Sequence, residues 1–409
     1  MPTVLVTDSS ERAALAVIRS LGRRDVEVVA ADSTSFNTGF LSKYCSRRII
    51  YPSPQKNKRK FIDSMLRLVK NESFDLLIPI TDFTMIPILE RRDEFEEYVK
   101  VAAPHYKTAI KALDKTQTIK IAEEQGIPCP RTFLFENIGD LREVAKNFKY
   151  PVVIKPKTKV VWIKERAITL KVTNKNYAYN RDDLIEKYAK ITSQFNGFDI
   201  PPDLFLIQEF VEGDGYGVEV LMYNSELKAL FMHKRLREYP ISGGASTLRV
   251  SVRNEKLKNY AVDLLKAMGW EGVAMVEFKL DEKSGDVWFI EVNGRFWGSL
   301  QLAISSGVDF PYLLYKSLMD GNAESYDSYV EGVMQKWLIP GDLLWFFASL
   351  MDNKRSKIST FASFLSSFKT PDDIVSSNDV SPTAGALFET AKDFLDVIRG
   401  NRTMFGELG

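Results

Sequence analysis

The sequence predicts an α/β protein of several domains. Three observations carry that prediction: the length, an alternation of strands and helices near the start, and a pair of acidic-apolar strands near position 280. At 409 residues the chain is too long for one ordinary core, and roughly two to four domains follow. Over residues 1–110 a strand Val4–Thr7, a helix Ser10–Leu21, a strand Val26–Ala31, a helix Lys58–Asn71 and a strand Asp75–Ile80 are predicted in turn. That alternation implies a parallel, Rossmann-like sheet. Asp32 imitates the ribose-binding acid of dinucleotide enzymes, yet Thr7-Asp8-Ser9-Ser10-Glu11-Arg12 has no glycine to let backbone approach a pyrophosphate, which argues against NAD. The helix opening at Ser9 or Ser10 presents N–H groups that suit a carboxylate, with N-capping the simpler role.

Further along, helices Thr116–Gln125 and Gly139–Phe148 flank a proline-rich step, and the strand Val152–Lys155 opens a smaller domain running to about Phe210. Its segment Lys157-Thr158-Lys159-Val160-Val161-Trp162-Ile163-Lys164-Glu165-Arg166 is basic and aromatic and reads as a solvated hairpin. Strands Gly217–Tyr223 and Ala229–Lys234, a Gly243-Gly244 loop and a helix Glu255–Met268 follow. The last stretch predicts helices Leu343–Met351, Ile358–Phe368 and Leu387–Ile398, broken at Pro340-Gly341, Pro371 and Ser381-Pro382. Trp337, Trp345, Phe346 and Phe347 are too apolar to leave in water, so this tail is expected to cover the preceding region, residues 213–325, or a homodimer interface.

Composition excludes several classes. Lys plus Arg number 55 against 54 Asp plus Glu, which gives no general attraction to nucleic acid. Cys45 and Cys129 show neither zinc spacing nor a disulfide framework and fit a reducing cytoplasm. The start lacks a signal-peptide pattern, and no apolar run approaches the roughly 20 residues of a membrane span.

The strands Val273–Leu280 and Val287–Asn293 carry the chemistry. Joined by a turn centred on Ser284, they would set Glu277 opposite Glu291 at roughly 5 Å, where two carboxylates repel unless a cation intervenes. Period-two alternation adds Asn293 and Arg295 to the same face. Carboxylates, an amide oxygen and a guanidinium suit Mg²⁺ shared with a polyphosphate.

In this pattern the chain resembles the ATP-grasp superfamily, whose metal strand reads Glu-x-Asn-x-Arg after an upstream Glu, here Glu291-Val292-Asn293-Gly294-Arg295 with Glu277. Asp114-Lys115, Gly126-Ile127-Pro128-Cys129-Pro130, Tyr150 to Pro156 and Gln208 to Gly213 follow the family order. The resemblance implies a pre-ATP-grasp Rossmann-like domain (1–110), linker helices with a lid (111–212) and a catalytic α+β subdomain (213–328), ahead of a helical extension (329–409). It implies ATP with Mg²⁺ or Mn²⁺ as cofactors, and Glu277, Glu291 and Asn293 as metal ligands. Lys115 and Lys155 would contact phosphates, the backbone of Gln208, Glu209, Phe210 and Val211 the adenine, and Glu219 the ribose. The lid departs from the family, because no glycine-rich loop follows Lys155-Pro156; Lys157, Lys159 or Lys164 is the alternative for meeting phosphate charge there, beside the solvated-hairpin reading.

On the acceptor side His233-Lys234-Arg235, Ser242-Gly243-Gly244-Ala245-Ser246 and Arg249 supply cations, with Arg235 and Arg295 the best placed to fork onto a carboxylate or developing phosphate charge. The reaction implied is an ATP-dependent ligation, in which a small-molecule carboxylate is phosphorylated and an amine displaces phosphate. The alternatives are a carbamoyl-phosphate-type enzyme or small-molecule kinase of the same fold, and a nucleotide-binding protein without turnover.

Overall fold

The computed structural model describes residues 1–135, 138–170, 172–195, 203–241, 243–321, 325–326 and 328–398. Ser242 of the expected cationic loop lies outside them.

Strands β1 (Thr3–Val6), β2 (Glu27–Asp32), β3 (Arg47–Ile50), β4 (Leu76–Ile78) and β5 (Lys100–Val101) form a parallel sheet in the order β3-β2-β1-β4-β5. Its central residues Val4, Leu5, Val6, Val28, Val29 and Ala30 are wholly buried, as a sheet covered on both faces demands. The strand order reverses between β1 and β4, so a crevice opens at their C-terminal ends. Here the capping expectation needs correction. The helix spans Arg12–Gly22 and its N-cap is Glu11. Asp8 takes a left-handed φ of 53° and turns the chain, so the Ser10 N–H donates to Asp32 at 2.9 Å and the Ser9 hydroxyl to Asn37 at 2.9 Å. Asp32 thereby stabilises a turn, and neither serine is left as a carboxylate donor of the kind expected.

The second unit holds β6 (Thr132–Phe133), β7 (Val152–Pro156), a hairpin β8 (Val160–Ile163) with β9 (Arg166–Thr169), β10 (Tyr177–Ala178) and β11 (Phe205–Glu209). Four of these pair antiparallel as β10-β7-β11-β6. The basic hairpin is not solvated throughout. It leans on the first sheet's helix Lys58–Asn71, with the Lys58 N–H on the Glu165 carbonyl at 2.9 Å and the Lys58 ammonium 5.2 Å from the centre of the Trp162 ring.

The third unit is an antiparallel sheet of β12 (Asp214–Tyr223), β13 (Glu226–Tyr239), β14 (Ala245–Ser251), β15 (Gly272–Leu280), β16 (Val287–Asn293) and β17 (Met334–Lys336), ordered β16-β15-β12-β13-β14-β17. Val218, Val220, Ala274 and Val276 pack one face onto Leu257, Ala261 and Leu264 of the helix Glu255–Ala267. On the other face Leu221, Phe231 and Met275 share a core with Val4, Ala13 and Trp297, which joins this sheet to the first.

The tail differs from its expectation in two ways. It supplies an edge strand, β17, and it is fastened by buried ion pairs as well as by aromatic packing. Arg19 meets Asp379 at 2.8 Å, Arg237 meets Asp342 at 2.7 Å, and Asp373 bridges Arg12 at 2.7 Å to Arg249. Trp345 is buried beneath the Arg237 guanidinium and Trp337 lies 3.7 Å from the Arg12 guanidinium carbon, but Phe347 stays 55% exposed. The helix Leu343–Met351 is apolar on every side, and only one side can face the sheet.

Candidate active site

β15 and β16 set Glu277 directly opposite Glu291, and Met275 opposite Asn293. The register slips between Glu277 and Phe278, so Ile290 is an extra residue in β16 and re-aims Glu291. Asn293 donates from its amide nitrogen to Glu277 Oε1 at 2.8 Å. That leaves its oxygen facing Lys159, whose ammonium donates to Asn293 Oδ1 at 3.3 Å and to Glu291 Oε1.

Lysines from separate elements surround Glu291. Asp114 caps the helix Lys115–Glu124 by accepting from the Thr116 N–H at 2.8 Å, which fixes Lys115 at the first helical position with its Nζ 3.3 Å from Glu291 Oε2. Lys155, on the apolar β7, donates to Gln208 Oε1 at 2.6 Å, and Gln208 in turn donates to the Thr132 hydroxyl at 2.9 Å. Lys159 arrives from the start of the basic hairpin. Burial pushes the Glu291 carboxyl up, but Lys159, Lys115 and Lys155 outweigh it and hold the group far below the usual carboxylate range. Burial and the neighbouring Lys115 lower the Lys155 ammonium to about 8, against the pull of Glu291. Arg235 reaches Glu277 Oε2 at 2.6 Å and Glu238 at 3.2 Å. Its charge is reinforced because those carboxylates outweigh burial.

Other expected residues are placed differently. Arg295 turns to Asp82 of the first unit, Nε to Oδ1 3.2 Å, because its neighbours pack at the crevice between the two sheets. Glu219 is wholly buried, bonded to His233 Nδ1 at 2.8 Å and to the Ser299 hydroxyl at 3.3 Å. The expected adenine hinge has partners of its own. The Glu209 N–H meets the Arg131 carbonyl at 2.9 Å, the Phe210 N–H the Pro151 carbonyl at 3.0 Å, and the Val211 carbonyl accepts from Lys279 at 2.9 Å. Gln208 acts through its side chain, which sequence reasoning underrated. Lys159 was nameable but not rankable, since Lys157 and Lys164 share its composition. Asp82 and Asp373 carried no local signal at all.

The donor set fits a divalent cation. Two carboxylates and an amide oxygen lie together, and a single cationic nitrogen already touches both Glu291 and Asn293. Among the described residues no third acid, histidine or cysteine joins them in a metal-holding group, which matches an ion that completes its shell with phosphate and water.

A family model described as "ATP-grasp in the biosynthetic pathway with Ter operon" matches residues 202–338. The carbamoyl phosphate synthase large chain of Thermotoga neapolitana is 26% identical over 275 residues, which cover 63% of this chain and 23% of that protein. The chain thus spans about a quarter of such relatives. The D-alanine–D-alanine ligase of Carboxydothermus hydrogenoformans is 27% identical over 235 residues, 51% of this chain and 69% of that one. Among solved structures, L-amino acid ligase from Bacillus licheniformis superposes with a TM-score of 0.60 at 15% identity, covering 78% of this chain and 74% of that chain.

Proposed function

We propose that this chain, which belongs to the ATP-grasp superfamily, is an ATP- and Mg²⁺-dependent ligase that phosphorylates a small-molecule carboxylate and joins the activated acyl group to an amine, with release of ADP and phosphate. The observation that carries this reading is the gathering of Lys115, Lys155 and Lys159 around the one carboxylate Glu291. So many cations at one acid suit an incoming polyphosphate better than they suit the acid alone.

In this reading residues 1–110 are the pre-ATP-grasp domain, 111–212 the linker and lid, and 213–328 the catalytic subdomain. Lys159 enters from the lid, and its transfer from Glu291 and Asn293 to phosphate oxygens couples nucleotide binding to the hairpin's position. Lys115 and Lys155 hold phosphate oxygens from two sides. Glu277, Glu291 and Asn293 would hold Mg²⁺, which supplies neutralisation of phosphate charge when bound. Arg235 lies beside Glu277 and orients the acceptor's carboxylate toward the reacting phosphorus.

The test follows the atoms. With the acid labelled in its carboxylate by ¹⁸O, one label is expected in the released phosphate, and hydroxylamine is expected to trap a hydroxamate when the amine is omitted. Formation of AMP and pyrophosphate would reject attack at the γ-phosphate. Likeness to carbamoyl phosphate synthase supports a second reading, in which phosphorylation ends the reaction or carbamate is the acceptor, and ADP formed with the transferred phosphate retained in the product would be its signature.

A further inference from the structure

Beyond Arg235, the face of the third sheet that carries Glu277 continues into polar groups that the phosphate site does not use. The register runs from Glu291 to Glu277, Gly217, His233 and Ser251 across neighbouring strands. On the same strands Arg235 stands directly opposite Arg249, and Arg249 opposite Gln335 of the tail's edge strand. Arg235 is paired with Glu277 and Glu238 and Arg249 with Asp373, and both guanidiniums keep nitrogens beyond those pairs. Arg249, Glu219, His233 and Gln335 are at most 1% exposed.

Among the described residues, Arg235 Nε, Arg249 Nε and Nη1, Glu219 Oε2, His233 Nε2 and Gln335 Oε1 are buried without a hydrogen-bond partner. Native interiors rarely keep such atoms unpaired, and a group of them beside a reactive centre points to a missing ligand. The Gly-Asp-Gly-Tyr-Gly segment of β12 belongs to this arrangement. A Cβ at Gly217 would stand 2.4 Å from His233 Cε1, and one at Gly215 would stand 3.0 Å from Arg235 Cδ. The absent side chains let the imidazole and the guanidinium stem lie across β12.

We infer that this cluster is the acceptor subsite and that its ligand is an α-amino acid, the carboxylate held between Arg235 and Arg249 and the ammonium group at Glu219 and His233. The inference rests on the ligase reading and names its acid. A simple anion would satisfy only the guanidinium donors, and a simple amine only the carboxyl and imidazole acceptors. A zwitterion satisfies both. Its carboxylate then lies next to the residue that holds Glu277. Asp373 fixes Arg249 from the tail, so the tail is a positioning element of this subsite.

The test is calorimetric titration of the protein, loaded with Mg²⁺ and a non-hydrolysable ATP analogue, with the common L-amino acids and their D-enantiomers. Each is run beside its des-amino and 2-hydroxy counterparts, and ADP release from ATP is measured in parallel. At least one α-amino acid is expected to bind about a hundredfold or more tighter than both counterparts, because a site built for a hydrogen-bonding group leaves its own groups unpaired when that group is missing. Glu219→Gln is expected to reduce that preference by about tenfold or more while affinity for the ATP analogue stays within about twofold, and Arg249→Lys to weaken all the acids together. Failure of every α-amino acid to bind, binding of the counterparts as tight as that of the amino acid, or an unchanged preference in folded Glu219→Gln would each overturn the inference. The preference of the unaltered protein decides the matter even if the variants do not fold. A des-amino acid that drives ADP release as well as its amino acid leaves the ligase reading standing and removes this one. An amino acid bound with the stated preference but releasing no ADP does the reverse.

Discussion

Glu291 and Asp379 are both carboxylates paired with cationic side chains from distant parts of the chain, lysines around the first and Arg19 on the second, and they differ in what their surroundings leave unused. Asp379 accepts from Arg19 Nε at 2.8 Å, the Ser42 hydroxyl at 2.7 Å and the Lys43 N–H at 2.9 Å. The remaining Arg19 nitrogens go to the carbonyls of Asp373, Ile374 and Asp379. Every group is matched. Around Glu291 the lysines exceed the acid, and Lys155 must rely on the neutral Gln208. A saturated pair fixes the tail to the first sheet's helix, whereas an excess of cations stores attraction for an anion that arrives later.

The largest effect that would sharpen this contrast is on stability. Asp379→Ala strands a buried guanidinium and is expected to cost about 3–5 kcal/mol, read as a lowered urea midpoint. An unaltered midpoint would erase the distinction between the two acids. Glu291→Gln is expected to act on chemistry instead, lowering ATP turnover about a hundredfold or more with an unchanged circular dichroism spectrum. Comparable turnover at saturating Mg²⁺ would remove Glu291 from the metal set.

Among the lysines, Lys155→Met is expected to weaken ATP more than Lys115→Met, since Lys155 has no carboxylate of its own to return to; calorimetric titration compares them, and equal, parent-like affinities would detach both from phosphate. The same residue sets a pH dependence. Its ammonium is charged below about 8 and neutral above, and phosphate favours the charged form. ATP affinity is therefore expected to fall as pH rises through that value, with proton uptake on binding that shows as a buffer-dependent heat. Lys155→Met should abolish that heat, and its persistence would assign the proton elsewhere. The smallest effect belongs to the exposed aromatic of the tail: Phe347→Ser should change stability by no more than about 0.5 kcal/mol in chemical denaturation, and a larger loss would mean that Phe347 has a partner in solution.

Much of this protein is legible locally. The helices Lys58–Asn71 and Leu343–Met351 and the strand Val287–Asn293 fall where periodicity and breakers place them. The pairing of Glu277 with Glu291 is met as well, but the register next to the turn, Phe278 with Phe289 and Leu280 with Val287, reaches it only through the extra residue Ile290, which no local rule marks. Other features were not legible for one shared reason. Glu219 resembles any strand acid until His233 and Ser299 are seen to enclose it, and Arg295 resembles a phosphate ligand until Asp82 is seen beside it. Lys159 resembles Lys157 and Lys164 until one of the three is found at Glu291.

The sequence by itself determined the alternating first sheet, the acidic hairpin and the order of motifs, since each depends on contacts between residues near in the chain or on side-chain period. Only the tertiary structure decided which lysine meets Glu291, that Arg295 turns to the first unit, and that the tail reaches back through Asp373 and Asp379. Those choices join residues as far apart as Arg19 and Asp379, where no local rule links the two charges. Closing so long a loop and burying both ions repays its cost only when several elements pack at once, so the pairing is a property of the assembled fold.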